Sequence, residues 1–148
     1  GSGDYPGLDA ELLFSPRLVV VASPSLLIDG VLTDPADCLR YPLLQDRDWS
    51  DWPNWFEAHG IKPARNATKG PSYADDALLI QGAMAGQGLA IVRDVYAAHA
   101  LQAGTIMLAI DAPIPTIARY FVVVQPDRMT VPKILAFRRW IISEASVA

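Results

Sequence analysis

The sequence predicts an α/β fold in which helices cover a largely parallel sheet. Short apolar runs rich in β-branched residues, such as 18–21 and 120–124, alternate along the chain with stretches of helical periodicity. Every position of 18–21 is apolar, which is typical of a strand that is covered on both faces. Prolines and glycines separate these segments rather than cluster. Strands that alternate with helices favour a layered α/β arrangement with ligands bound at the carboxyl ends of the strands.

The strands are expected to be short and mostly buried. In chain order they are predicted over residues 18–21, 41–45, 89–92, 106–110 and 120–124. The polar stretch 62–72 is expected to be an extended loop, and Pro113 and Pro115 are expected to mark a loop after the fourth strand.

The helices are assigned from their caps and their first turns. They are predicted over residues 25–28, 35–39, 52–59, 75–85, 95–101 and 130–143. Pro24, Pro35 and Pro132 stand where a helix begins, a position that tolerates proline. Asp75 and Asp94 are expected to be N-caps.

The composition indicates a folded domain that does not bind DNA by itself. The chain has 148 residues, of which 51% are hydrophobic and 19% are charged, so it can bury a core. Its formal net charge is -4, with 12 basic and 16 acidic residues. A duplex-binding surface needs concentrated Lys and Arg, which this chain does not supply.

Cysteine usage and hydropathy bear on the compartment. Cys38 is the single cysteine, so no internal disulfide forms, and a reduced, cytoplasmic compartment fits best. We expect no membrane span, because the longest apolar run, 18–22, is too short to cross a bilayer. Residues 1–8 do not resemble an export signal, and the start without methionine suggests an excised fragment.

No pattern typical of an enzyme, a metal site or a cofactor site is found. His59 and His99 belong to no Ser/His/Asp or metal-binding pattern, and we expect surface or packing roles for both. Gly82, Gly86 and Gly88 follow a helix and precede a strand, which is the reverse of a nucleotide-binding loop. The glycines therefore favour a tight helix-to-strand turn.

Charged residues near the predicted strand ends are the candidates for ligand contact. Asp75 and Asp76 start a helix, where acids cap the backbone and favour the helix dipole, but Asp76 is also placed to face a ligand. Two aspartates there would prefer an amine or a hydroxyl over an anion. Arg47 and Arg93 each follow a predicted strand closely, so each is either a carboxylate anchor or an ordinary surface charge.

An aromatic group at 49–56 allows two interpretations. Aromatic residues interleaved with basic ones are typical of platforms for single-stranded nucleic acid. The charged neighbours here are mainly acidic, which favours core packing with one ring at a cleft. The aromatic residues are Trp49, Trp52, Trp55 and Phe56.

Several motifs in order resemble one family of bacterial regulators. They are Gly3-Asp4-Tyr5-Pro6-Gly7-Leu8, Ser23-Pro24-Ser25-Leu26-Leu27, Trp52-x-x-Trp55-Phe56, Gln81-Gly82-Ala83-Met84-Ala85-Gly86-Gln87-Gly88-Leu89-Ala90 and Ala136-Phe137-Arg138-Arg139-Trp140-Ile141. Together they resemble the effector domain of LysR-type transcription regulators, and most closely the subgroup of glycine-cleavage activators and β-lactamase regulators.

The resemblance implies a fold and a division into domains. It implies a three-layer, Rossmann-like lobe of the periplasmic-binding-protein type II fold. Residues 17–122 would form the second effector-binding subdomain, and residues 1–16 and 123–148 would belong to the first subdomain and the cross-over hinge. The family's N-terminal DNA-binding domain is absent from this sequence.

The resemblance also places residues at an effector cleft. It implies cleft positions for Tyr73, Asp75 and Asp76, and relatives often have serine where this chain has Asp76. It implies an aromatic wall at Tyr120. Gln45, Asp46 and Arg47, which follow the strand at the mouth of the lobe, are expected to contact the effector, as is Arg93.

The function implied is the sensing of a small metabolite by a DNA-bound oligomer, without a reaction or a cofactor. The expected partners are the effector, a second copy of the chain, and DNA through the absent domain only. Two alternatives stay open: a lobe of a secreted solute-binding protein, and a small enzyme that uses Asp75, Asp76 or a histidine.

Overall fold

The computed structural model describes residues 1, 3–62 and 65–146, and the chain divides into two compact units. The larger unit is Arg17–Ile114, and the smaller one combines Gly1–Pro16 with Pro115–Ala148. The predicted lobe also begins at residue 17, but its predicted end at 122 lies beyond the larger unit. That these units are two subdomains of an effector domain stays a prediction.

The described residues contain these strands and α-helices: β1 (Asp9–Phe14), β2 (Arg17–Ala22), β3 (Leu43–Leu44), α1 (Asp51–Ala58), α2 (Asp76–Met84), β4 (Leu89–Arg93), α3 (Asp94–Gln102), β5 (Met107–Pro115), β6 (Tyr120–Val124) and α4 (Pro132–Ala145). Short 3₁₀ helices lie at Pro35–Arg40, Arg65–Thr68 and Pro126–Arg128.

The larger unit is built on a four-stranded sheet with the order β3-β4-β2-β5. β3 pairs with β4 in parallel, with Leu43 opposite Leu89. β2 pairs with β4 in antiparallel fashion, with Leu18 opposite Arg93. The prediction of a largely parallel sheet is therefore wrong, and the sheet is mixed. Apolar strands that are buried on both faces fit either direction, and the connections between strands decide which one forms.

Alternate residues of the central strands enter two apolar cores, one on each face of the sheet. Val20 and Ile91 belong to the core that contains Trp52 and Trp55 of α1, together with Phe56. Both indole N–H groups are satisfied, because Trp52 donates to the Leu44 carbonyl and Trp55 to the Ala112 carbonyl, each at 2.9 Å. The aromatic group at 49–56 thus packs mainly in the core, as predicted.

The second core lies under α2 and α3. Val19 and Val92 belong to it, and Leu79 of α2 and Ala97 of α3 cover them. Helices thus lie on both faces of the sheet, which gives the three layers that were predicted.

The smaller unit is a two-stranded sheet covered by one helix. β1 pairs with β6 in antiparallel fashion, and α4 packs against both strands. Arg138 of α4 bonds to the Asp9 carboxylate at 3.0 Å and also pairs with Glu11. No residue of α4 is buried, and Phe137 and Trp140 are more than half exposed at 56% and 54%. This unit therefore buries little of its apolar surface.

The structure differs from several local predictions, and the expected extended loop 62–72 contains the 3₁₀ helix Arg65–Thr68. Residues 25–28 form turns rather than a helix, because Ser23 closes a turn with Leu26, and Gly30 takes a left-handed φ of 93°. The predicted loop at Pro113 and Pro115 continues β5 instead. β1 was not predicted, and Asp94 is the first residue of α3 rather than its N-cap.

Candidate functional site at the strand ends

The carboxyl ends of β3 and β4 lie at the same edge of the sheet, because these two strands are parallel. Asp46 follows β3 closely, and Arg93 is the last residue of β4. Asp51 starts α1 and Asp76 starts α2. The charges of Asp46, Asp76 and Arg93 all act on the Asp51 carboxyl group. We call these four residues the strand-end cluster.

Asp76 and Arg93 are bonded to each other twice. Oδ1 of Asp76 accepts a hydrogen bond from Nη1 of Arg93 at 2.8 Å, and Oδ2 accepts one from the Arg93 backbone N–H at 2.9 Å. The Asp76 side chain is 13% exposed and that of Arg93 is 32% exposed. The two residues that were predicted as separate ligand contacts are therefore partners, and their pairing joins the start of α2 to the end of β4.

The Asp46 carboxylate accepts hydrogen bonds from the backbone of the segment that leads into α1. Its Oδ1 accepts hydrogen bonds from the backbone N–H groups of Ser50 and Asp51 at 3.0 Å each. Its Oδ2 accepts one from the backbone N–H of Asp48 at 3.1 Å. The carboxylate therefore satisfies backbone donors before α1 and at its first residue, while it stays half-exposed at the strand ends.

Asp51 is a member of the cluster that the sequence analysis missed. Burial and, after it, the Asp46 carboxylate together raise the pKa of this carboxyl from 3.8 to about 6, while Arg93 acts in the opposite direction. Its position as the first acid of the helix after β3 was a usable signal.

Gln45 faces the interior. It is 0% exposed, and its side-chain Nε2 donates to the carbonyls of Ala67 at 3.1 Å and Lys69 at 3.0 Å. Its backbone N–H donates to the Pro71 carbonyl, and its own carbonyl accepts from the Tyr73 N–H, both at 2.9 Å. Gln45 therefore fastens the segment 67–73 to the end of β3, and its side chain has no surface to offer a ligand.

The hydroxyl group of Tyr73 bonds at the other end of β4. It donates to Oε1 of Gln87, which lies just before that strand begins. The ring covers Gly82, where an added Cβ would lie 3.0 Å from the tyrosine oxygen. The structure thus does not bring the Tyr73 hydroxyl to the strand-end cluster.

Three further predicted residues lie in different surroundings. Asp75 is the N-cap of α2, as predicted, with its Oδ1 accepting from the Leu78 N–H at 2.9 Å. Arg47 is exposed in the loop after Asp46. Tyr120 belongs to the smaller unit, where its ring stacks on Phe14 with ring centres 4.6 Å apart.

The strand-end cluster offers carboxylate oxygens and one guanidinium, but no thiol or imidazole. Within residues 1, 3–62 and 65–146, no three His, Cys, Asp or Glu side chains are arranged to hold a metal ion. In the same ranges, no helix has the length and hydropathy that a bilayer crossing requires. The arrangement fits the binding of a polar molecule by charge and hydrogen bonds.

A depression away from the strand-end cluster lies between α2 and α3. It is mostly apolar, and it includes His99, which belongs to no catalytic arrangement here. Its lining residues are Ala77, Ile80, Gln81, Met84, Tyr96, His99, Ala100, Ala103 and Thr105.

Sequence comparison relates the chain to transcription regulators. The family model described as the LysR substrate binding domain matches residues 1–146. The glycine cleavage system transcriptional activator of Escherichia coli K12 is 31% identical over 147 residues, which are 99% of this chain and 48% of that protein. The HTH-type transcriptional activator AmpR of Pseudomonas aeruginosa is 27% identical over 99% of this chain and 49% of its own length. The chain thus spans about half the length of these relatives.

Solved structures show the same fold. The effector domain of AmpR from Pseudomonas aeruginosa matches with a TM-score of 0.78 at 26% identity, over 99% of this chain and 70% of that one. The AmpR effector binding domain from Citrobacter freundii matches with a TM-score of 0.80 at 24% identity, over 100% of this chain and 72% of that one. The predicted α/β fold of the periplasmic-binding-protein type II kind is confirmed. The chain belongs to the LysR substrate-binding domain family.

Proposed function

We propose that this chain is the effector-sensing part of a LysR-type transcription regulator and that the strand-end cluster lies in its effector site. The observation that carries the proposal is the meeting of Asp46, Asp51, Asp76 and Arg93 at the carboxyl ends of β3 and β4. Sheets of this kind bind ligands at that edge. The relatives named above are transcriptional activators, which supports regulation rather than catalysis.

The proposed partners are a small polar metabolite, a second copy of the chain and, through another part of the regulator, DNA. The net charge of -4 argues against DNA contact by this segment. The effector acts by binding one arrangement of the regulator better than another, since equal binding shifts no equilibrium. We propose a cytoplasmic regulator that needs no cofactor and catalyses no reaction.

The two units fit this proposal as parts of two subdomains. We assign the larger unit, Arg17–Ile114, to the second effector-binding subdomain, and the smaller unit to the first subdomain and the hinge. The exposed apolar residues Leu12, Phe137 and Trp140 of the smaller unit support this assignment. Exposed apolar side chains of this kind are typical of a surface that other residues of the same subdomain cover in a complete effector domain.

A metabolite panel screened by thermal shift, followed by amide NMR titration of each hit, tests the proposal. We expect weak binding, because we propose that the remaining part of the first subdomain, outside this sequence, supplies the other wall of the cleft. A hit should shift the amide signals of residues 46–51, 76 and 93, while Met84 and Ala103 at the α2–α3 depression serve as the control positions. Hits that shift only the control positions contradict the proposed site.

The parent gene offers a second test of the regulator itself. An encoded helix-turn-helix upstream of this segment supports the proposal. An encoded export signal without such a motif indicates a solute-binding protein instead and contradicts it.

A further inference from the structure

We propose that Asp76 determines the charge of the ligand that the strand-end cluster accepts: it serves as a built-in carboxylate for Arg93, so the site selects neutral or cationic ligands against anionic ones. This inference rests on the proposed function, because it concerns the ligand class of the same site. It also makes a claim about charge that the proposed function does not require.

The bonding of Asp76 supports the first step. An arginine that anchors a ligand carboxylate does so through guanidinium N–H groups, often joined by a nearby backbone N–H. Asp76 already takes both kinds of donor from Arg93, at 2.8 Å and 2.9 Å. With its side chain only 13% exposed, Asp76 is screened little by solvent, so it neutralises most of the positive charge of Arg93.

The rest of the cluster supports the second step. Once Arg93 is neutralised by Asp76, the carboxylates of Asp46 and Asp51 are the remaining charges of the strand-end cluster. Asp48 adds a further acid whose charge reaches Asp51, and the exposed Arg47 is solvent-screened. An incoming anion therefore meets net negative charge, whereas an amine or a hydroxyl donor meets acceptor oxygens.

The first experiment compares two small probes, acetate and methylammonium, on the whole chain at constant ionic strength maintained with sodium chloride. Binding is followed by amide NMR shifts of residues 46–51, 76 and 93. In the unsubstituted protein, methylammonium should shift these signals more strongly than acetate. Acetate binding at the cluster as strong as methylammonium binding overturns the inference without any variant.

Substitution of Asp76 should reverse this preference. Asp76→Asn leaves Arg93 uncompensated, so acetate should bind at least about tenfold more tightly than in the unsubstituted protein. Asp94→Asn is the matched control, because Asp94 pairs with Arg17 at 3.1 Å in the same unit. Equal gains in both variants, or no gain in Asp76→Asn, overturn the inference. Asp76→Ser, which keeps a hydroxyl acceptor for the Arg93 N–H, replaces Asp76→Asn if thermal melting shows that the latter is unfolded.

The titration of Asp51 separates a charge effect from a merely structural one. Removing the Asp76 carboxylate removes one of the charges that raise the pKa of Asp51, so this pKa should fall in Asp76→Asn and stay unchanged in Asp94→Asn. Carbon-13 NMR of the carboxyl groups measures it. An unchanged pKa in Asp76→Asn contradicts the inference.

Failure of the inference and failure of the proposed function give different results. A natural effector that binds the cluster through its own carboxylate overturns the inference and leaves the proposed function standing. Effectors that bind only at the α2–α3 depression overturn the effector site of the proposed function, even where the cluster still prefers methylammonium over acetate.

Discussion

Asp46, Asp51 and Asp76 carry the same side chain at one edge of the sheet, and their surroundings give them different properties. Asp46 binds backbone N–H groups, and Asp76 binds a guanidinium and a backbone N–H. Asp51 is half-buried beside other carboxylates, and its pKa is raised to about 6. Burial and the neighbouring carboxylates therefore make the charged form of the Asp51 carboxyl group unfavourable.

The raised pKa of Asp51 predicts a pH-dependent stability. The folded protein holds this proton to about pH 6, whereas the unfolded chain releases it near the ordinary value of 3.8. The folded state therefore binds more protons between these values, and the contribution of Asp51 to stability falls as the pH rises through that window. Above it, the charged carboxylate destabilises the fold.

Asp51→Asn should remove this penalty. We expect the free energy of unfolding to rise by roughly 1 to 2 kcal/mol at pH 7.5 and by less at pH 4.5, after allowance for partial solvent screening. Urea unfolding of both proteins at the two pH values measures the difference. A gain that is equal at both values contradicts the raised pKa.

Gln45 should be important for stability rather than for ligand contact. Gln45→Leu leaves the buried Ala67 carbonyl and the partly buried Lys69 carbonyl without their side-chain donor, so we expect a loss of about 2 kcal/mol. Gln102→Leu, on the exposed end of α3, is the matched control and should change stability by less than about 0.5 kcal/mol. Urea unfolding compares them, and equal losses would show that the buried hydrogen bonds of Gln45 contribute little.

At the scale of elements, the contact between β3 and β4 depends on a glycine. A Cβ added at Gly88 would lie 2.3 Å from the Pro42 carbonyl oxygen, which accepts the Leu89 N–H at 2.9 Å. The absence of a side chain at Gly88 therefore lets the two strands approach and pair in parallel. This pairing brings Asp46 and Arg93 to one edge.

Gly88→Ala should separate the two strands. We expect a loss of about 2 to 3 kcal/mol, since backbone atoms have to move. Gly104→Ala is the control for an ordinary glycine at a helix end: its φ is 69°, and nothing lies within 4 Å of the added Cβ. The control should cost about 1 kcal/mol. Thermal and urea unfolding measure both, and a smaller loss for Gly88→Ala than for Gly104→Ala refutes the close approach.

Elements with strong local signals were predicted well from the sequence. α2 starts after Asp75, as its cap indicates, and β4 and β6 lie within a residue of their predicted bounds. β1 was missed because its half-exposed residues carry a weak local pattern, and its partner β6 lies far along the chain. The direction of β2 was missed because local composition does not specify which way a strand runs.

The candidate site was predicted in part for the same reason. Asp46, Asp76 and Arg93 were each singled out by their positions beside strands or at a helix start. The bond between Asp76 and Arg93 was not predicted, because it depends on how α2 packs against β4. Gln45 and Tyr73 have structural partners that only the folded chain brings to them.

At the scale of the whole molecule, the two units differ in how much they bury. β2 is buried at every residue after Arg17, whereas every residue of β6 is only half-buried. Local stability follows buried apolar contacts, so the smaller unit should open more readily than the larger one.

Amide hydrogen exchange followed by mass spectrometry tests this difference. We expect peptides from β1, β6 and α4 to exchange at least about tenfold faster than peptides from β2 and β4, because their opening costs less free energy. The two sets of peptides come from one sample, so each serves as the control for the other. Equal protection would show that the chain opens only as one cooperative whole.

Trp49, which follows Asp46 by three residues, offers a fluorescence probe near the strand ends. Trp52 and Trp55 are 0% exposed, whereas Trp49 is 38% exposed and donates its backbone N–H to the Asp46 carbonyl at 3.3 Å. Indole emission moves to shorter wavelength when the ring leaves water. In a Trp140→Phe protein, Trp49 is the one tryptophan left in contact with solvent. Because the Trp49 backbone is bonded to Asp46, we expect a molecule that binds beside Asp46 to change the fluorescence of the unlabelled chain.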